Sequence, residues 1–175
     1  MIYLVRHAEA KEAERDEARE LTSRGREMSV QLGRFLRLTR IAPTNEVWHS
    51  TLVRARQTAE MVAQGLGVAV LKEVSGLAPD ENPGAFARKL AHVTNDVMVV
   101  GHNPHLTMLG TLLVKGEHAT LPAMEFSKCT ALALNNLGRG EPGDWCVAWQ
   151  LDPQMLKAMS EPDVVAAWKR RNLVR

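Results

Sequence analysis

A chain of 175 residues with 45% hydrophobic composition is long enough for one domain with a proper core and too short for two. Its net charge of +2 gives no general case for nucleic acid, and no apolar run is long enough to cross a bilayer. Met1 opens directly into an apolar segment with no room for a signal peptide, so a cytoplasmic location is expected.

The first element is the run Ile2-Tyr3-Leu4-Val5, which ends abruptly in Arg6-His7-Ala8-Glu9. Such a run suits a strand over 2–7 covered on both faces, and ligands of open α/β sheets sit beyond the carboxyl ends of their strands. Arg6 and His7 are thus expected at that crevice, where an imidazole can attack phosphorus and a guanidinium can neutralise phosphoryl oxygens. A helix over 23–40 follows, with Met28, Gln31, Leu32, Phe35 and Leu36 on one face, so that Phe35 is read as core.

The next strand, over 46–50, leads into a helix over 51–66 that Ser50 or Thr51 can cap. Leu52, Ala55, Ala59, Val62, Ala63 and Leu66 share a stripe to bury. Arg54 lies in its first turn, a poor place for a cation unless an anion docks there. Arg56 points elsewhere and is read as a solvated charge. After a helix over 83–94, the strand 96–101 repeats the amino-terminal construction, ending in Gly101-His102. Asn103 is expected as N-cap and Pro104 at the first position of a helix over 104–114.

Two late strands, 129–135 and 145–150, are joined by the turn-rich stretch Asn135 to Gly143, which suggests an antiparallel hairpin at a sheet edge. Cys129 and Cys146 lack metal-ligand spacing and are expected as free buried thiols, in keeping with a reducing compartment. The basic end, Trp168 to Arg175, is read as a solvated tail or a peripheral helix over 160–175. Strands alternating with helices imply one three-layer α/β/α sandwich over 1–175, built on a mostly parallel sheet with an antiparallel edge strand.

Taken together, Arg6-His7-Ala8, the run from Ser50 through Arg54-Ala55 to Gln57-Thr58-Ala59, and Gly101-His102-Asn103-Pro104 resemble the signature of the histidine phosphatase superfamily. This is the group that includes the phosphoglycerate mutases, whose fold the resemblance implies. The Leu21-Thr22-Ser23-Arg24-Gly25 segment, the short length and the Gly-His-Asn-Pro box are most similar to its SixA branch of protein phosphohistidine phosphatases. The likeness runs from roughly Met1 to Leu134.

The resemblance implies that His7 is the nucleophile and forms a transient phosphohistidine, with Arg6, Arg54 and His102 holding the phosphoryl oxygens. Phosphoryl transfer independently asks for positioning and for positive charge of this kind. No cofactor and no metal are implied. The expected substrate is a phosphohistidine-bearing protein, the alternative a small phosphomonoester; neither nucleic acid nor membrane is expected as a partner.

The chain departs from the family pattern at two places. Ala8 stands where many relatives have Gly, so the backbone there does not need a positive φ. The Glu that serves as general acid in mutase-like members is absent near Ala78-Pro79. Asp16, Asp80 and Glu81 are candidates to replace it, Asp16 because its loop leads straight from His7 and matches an acidic position in the SixA branch. A phosphohistidine nitrogen leaves with less help from an acid than an alkoxide does, so the missing Glu favours P–N cleavage. Short linkers suggest an open, lidless pocket that admits a side chain of another protein.

Two other classes compete. A metallohydrolase could draw on His7, Glu9, Asp16, His102 and His105, but Arg6 and Arg54 would repel the ion. A non-catalytic phosphate-binding module would not need two histidines.

Overall fold

A computed structural model describes residues 1–118 and 120–159 of the chain. The basic tail therefore lies outside the described residues. Six strands, β1 (Ile2–Arg6), β2 (Glu46–His49), β3 (Val70–Glu73), β4 (Val97–Gly101), β5 (Ala131–Asn136) and β6 (Trp145–Leu151), form one sheet. Five helices accompany them: α1 (Ser23–Thr39), α2 (Val53–Leu66), α3 (Pro83–Ala91), α4 (His105–Lys115) and α5 (Pro153–Met159). The order across the sheet is β3-β2-β4-β1-β5-β6.

The apolar run of β1 alternates between two cores because successive strand side chains point to opposite faces. Tyr3 and Val5 pack with Leu32 and Leu36 of α1 and with Ala55, Ala59, Val62 and Ala63 of α2. Ile2 and Leu4 pack with Phe86 and Leu90 of α3 and with Leu106, Leu109 and Leu113 of α4. β4 divides in the same way, Met98 and Val100 to the first core, Val97 and Val99 to the second. Each fully buried Leu or Val contributes roughly 1.5–3 kcal/mol. The result is the expected three-layer α/β/α sandwich.

β1 through β4 run parallel, and the late hairpin closes the other edge: β5 pairs antiparallel with β1, and β6 antiparallel with β5. The strand that runs against the sheet is thus β5, one in from the edge, while β6 at the edge returns to the direction of β1. Helices α1 and α2 meet backbone to backbone, because a Cβ at Gly33 would strike the Val62 carbonyl and one at Gly65 that of Val30.

Several local expectations are corrected. β3 and α5 were not foreseen; all four β3 residues are exposed, so no hydrophobic alternation marks the strand. Gln31 is exposed and hydrogen-bonds Glu27, while Gly25 and Ser29 take its place on the buried face of α1. α2 begins at Val53 with Leu52 as an N-cap that has no side-chain bond, because Ser50 Oγ reaches only Leu52 N, at 3.4 Å. α4 begins at His105 with Pro104 as its N-cap, after a cis Asn103–Pro104 peptide, and the Asn103 side chain is engaged elsewhere. The thiols are free, Cys129 buried and Cys146 half-buried, but Cys129 lies just before β5 rather than within it.

Candidate active site

The topology seats β4 directly beside β1, with Arg6 opposite Gly101. The residues that follow, His7 and His102, therefore leave adjacent strands at the same level, and the His7 amide donates to the Gly101 carbonyl at 2.9 Å. Their ring centroids are 5.0 Å apart, tilted by 49°. β2 flanks β4 on the other side, where Ser50 N bonds Val100 O at 3.1 Å. Helix α2 thus starts on the same sheet edge, with Arg54 turned inward and only 4% exposed. Arg56 faces solvent and pairs with Glu60, as expected for a surface charge.

His7 is 8% exposed and its Nδ1 lies 2.7 Å from the Ala8 carbonyl. A carbonyl only accepts, so Nδ1 carries the hydrogen and Nε2 keeps its lone pair. Burial above all, reinforced by the charges of Arg54, Arg6 and Lys128, overrides that hydrogen bond and holds the His7 pKa down to about 4. A neutral imidazole with a defined tautomer and a basic Nε2 is what in-line attack on phosphorus requires. The Ala8 amide donates to Thr58 Oγ1 at 3.0 Å, and that hydroxyl donates to the Arg54 carbonyl at 2.7 Å, so one side chain spaces His7 from Arg54. Ala8 does not adopt a positive φ.

His102 is 1% exposed, and both ring nitrogens are buried without a hydrogen-bond partner. Burial first, then His7 and Arg54, hold its pKa down to about 3. Arg6 Nη1 donates to the Phe126 carbonyl at 2.7 Å, and Asn103 Nδ2 donates to the same oxygen at 3.1 Å. The backbone amide of Cys129 reaches the carbonyls of Arg6 and His7, at 3.1 and 3.3 Å. To do so Cys129 takes a left-handed conformation, φ 66°, that is costly for any residue but glycine. The segment before β5 is thereby clamped to the end of β1.

Asp16 lies in a short 3₁₀ turn, Asp16–Ala18, between β1 and α1. Its carboxylate accepts from Arg54 Nη2 at 2.9 Å and its carbonyl from Arg54 Nη1 at 2.7 Å. This return of the 11–20 segment onto Arg54 differs from the expected open pocket: the guanidinium is covered by its own chain. Partial burial is the largest influence on Asp16 and pushes its pKa up, but hydrogen bonds from Arg54 and Arg19 hold the carboxyl below the usual range. Glu81 accepts from Gly76 N at 3.0 Å and Ala78 N at 2.6 Å, which commits both its oxygens to bracing a loop. Asp80 is exposed on that loop. Among the described residues, no group of three or more His, Cys, Asp and Glu side chains is placed to hold a metal ion.

Arg6, His7, Arg54 and His102 are thus brought together as the sequence suggests, with Asp16 joined to them through Arg54. Thr58, the Asn103 amide, the Phe126 carbonyl and Lys128 were not singled out. Thr58 stood inside the quoted motif, whereas nothing in the 116–130 sequence marks a main-chain carbonyl as a part of the site.

Residues 2–78 match the family model of the histidine phosphatase superfamily (branch 1). No curated protein matches the chain. Among solved structures, the protein histidine phosphatase SixA complexed with tungstate is 26% identical, with a TM-score of 0.78 over 89% of this chain and 98% of that one. A SixA-type protein from Agrobacterium tumefaciens is 25% identical, with a TM-score of 0.71 over 87% and 97%. A mycobacterial glucosyl-3-phosphoglycerate phosphatase shares the fold at 16% identity, with a TM-score of 0.65 over 84% and 96%. The resemblance read from the three motifs is borne out, and the fold is that of the histidine phosphatases.

Proposed function

We propose that this chain of histidine phosphatase fold is a phosphohistidine phosphatase that acts through a covalent phosphoenzyme on His7. One observation carries the reading: a buried, neutral His7 whose Nδ1 is bonded to the Ala8 carbonyl, with its Nε2 free and two guanidiniums close by. In the proposed cycle Nε2 forms a bond to phosphorus as the bond to the leaving group breaks. Arg6, Arg54 and His102 bind the equatorial oxygens, where the transition state spreads its charge. Water then attacks phosphorus, the bond to Nε2 breaks, and inorganic phosphate departs.

The substrate class follows from what the site offers a leaving group. Asp16 is held ionised and Glu81 is bonded to backbone, so neither stands ready to protonate an alkoxide. A nitrogen leaving group asks less of an acid, and a phosphohistidine on a protein partner fits best. Likeness to the SixA structures supports the same choice. The small-phosphomonoester alternative is favoured only by neighbours that share no more than the fold.

Two further readings go with this one. The whole chain is a single domain, and its free thiols suit the cytoplasm. No helix among the described residues is long and apolar enough to cross a membrane.

The test is to trap the enzyme with labelled substrate. The expected phosphoenzyme is acid-labile, base-stable and absent from His7→Ala, which should fold but not turn over. Label on another residue, or label retained by the variant, would overturn the nucleophile. Little activity on a phosphohistidine protein beside high kcat/KM on a sugar phosphate would instead favour the small-molecule alternative.

A further inference from the structure

The Gly-His-Asn-Pro box contains one polar atom with no employment in the proposed cycle. Asn103 hydrogen-bonds the Phe126 carbonyl, and only its NH2 end can donate to a carbonyl, so the orientation of the amide is fixed. That same carbonyl accepts from Arg6, which places the amide beside a phosphate-binding guanidinium. Its other end, Oδ1, is buried and has no partner. A buried acceptor without a donor is costly and calls for an explanation. The phosphoryl group cannot supply one, because a phosphate dianion carries only acceptors. The other half of the substrate can, because the ring of a phosphohistidine carries a donor in its remote N–H.

Asn103 also lines a surface cleft with Pro104, Thr107, Pro122, Met124 and the exposed Glu125. The walls are apolar, two of them proline rings and one a thioether that packs well against an aromatic edge. A carboxylate at the rim suits a ring that carries partial positive charge.

Resting on the phosphohistidine reading above, we propose that this cleft is the subsite for the leaving group, and that Asn103 Oδ1 accepts a hydrogen bond from the remote ring N–H of a phosphorylated imidazole. Entry of the ring between Pro104 and residues 122–125 leaves the Asn103–Phe126 bond in place and gives Oδ1 its donor. An N-phosphorylated imidazole with a proton on its remote nitrogen needs no acid. When the P–N bond breaks, its electron pair returns to the ring nitrogen and phosphorus passes to His7 Nε2. The ring keeps its remote N–H and departs as neutral imidazole. By accepting from that N–H, Asn103 favours the protonated, activated form. An alkyl phosphate offers nothing to the acceptor and leaves it unpaired, which is how a polar site rejects a substrate that lacks the matching group.

The experiment compares phosphoimidazole, its analogue methylated on the remote nitrogen, and an aryl phosphate, with each kcat/KM taken relative to the uncatalysed rate. Wild type should discriminate against the methylated analogue by on the order of 10–100-fold. Asn103→Leu also loses the bond to Phe126, which lowers all rates, but phosphoimidazole turnover should fall on the order of tenfold further than that of the methylated analogue, where the contact to Oδ1 is already missing. Asn103→Asp retains an acceptor but loses the bond to Phe126, so all rates fall while discrimination between the two imidazoles persists. It also carries the test if the leucine variant does not fold. Equal losses on both imidazoles in Asn103→Leu, or no discrimination by wild type or Asn103→Asp, would overturn the subsite. Failure of the wild-type enzyme on all three substrates would overturn the phosphatase reading instead.

Discussion

Asp16 occupies both terminal nitrogens of Arg54, the carbonyl at Nη1 and the carboxylate at Nη2. The fork that matches two phosphoryl oxygens is therefore filled by an internal anion. The Asp16 side chain is 60% exposed, so solvent screens the pair and a substrate dianion can displace it. Asp16→Asn keeps the shape and removes the competing charge. Inhibition by inorganic phosphate should then tighten by about two- to fivefold, in line with the modest strength of exposed ion pairs. Turnover of alkyl and aryl phosphates should shift together. A loss confined to alkyl phosphates would give Asp16 the role of proton donor.

Arg54→Lys retains a charge but not the planar fork. If the arginine binds the transition state through paired hydrogen bonds, kcat should fall at least tenfold, toward the ~10²–10³ that the loss of one oxyanion donor costs. Steady-state kinetics with an aryl phosphate would measure it. Full activity would show that charge alone suffices.

Thr58 spaces His7 from Arg54 through bonds to the Ala8 amide and the Arg54 carbonyl. Thr58→Val preserves the volume and leaves the buried Ala8 N–H without an acceptor, at a cost of about 1–3 kcal/mol in chemical denaturation. Because the released amide adjoins the nucleophile, kcat should fall by more than KM rises. A stability loss without any change in kcat would reduce Thr58 to a packing residue.

His7 and His102 titrate near 6.5 when unfolded but are held to about 4 and about 3 in the folded chain, chiefly by burial. Between these limits the unfolded state binds more protons, so acidification favours unfolding. Their contribution is complete above pH 6.5 and is lost as the pH falls toward 4. Each imidazole adds a slope approaching ~1.4 kcal/mol per pH unit in that window. Denaturation at pH 7, 6 and 5 should show stability falling, and His102→Asn should flatten the decline. A wild-type stability independent of pH over that range would contradict neutral burial.

Much of this was legible because the chemistry sits at the ends of strongly patterned elements. The unbroken apolar runs of β1 and β4 announced strands covered on both faces, and each delivered a histidine at its tip. The stripe on α2 likewise placed Arg54 at the start of a helix. β3 escaped notice because an exposed edge strand has no hydrophobic period to read. The assignment of Asn103 as an N-cap failed for a different reason: its amide makes a bond 23 residues away, which no local rule contains.

By itself, then, the sequence determined that His7 and His102 follow the tips of buried strands and that Arg54 stands in a first helical turn, since burial periodicity is local. Only the tertiary structure decided how they meet. Strand order brought His7 and His102, 95 residues apart in the chain, to a ring separation of 5.0 Å. It laid Asp16 across Arg54, and it made the Phe126 carbonyl a shared anchor for Arg6 and Asn103. Long-range hydrogen bonds and desolvation depend on what the folded chain places around a group, so neither the tautomer of His7 nor the depressed pKa values of the two histidines could be read from their neighbours in sequence.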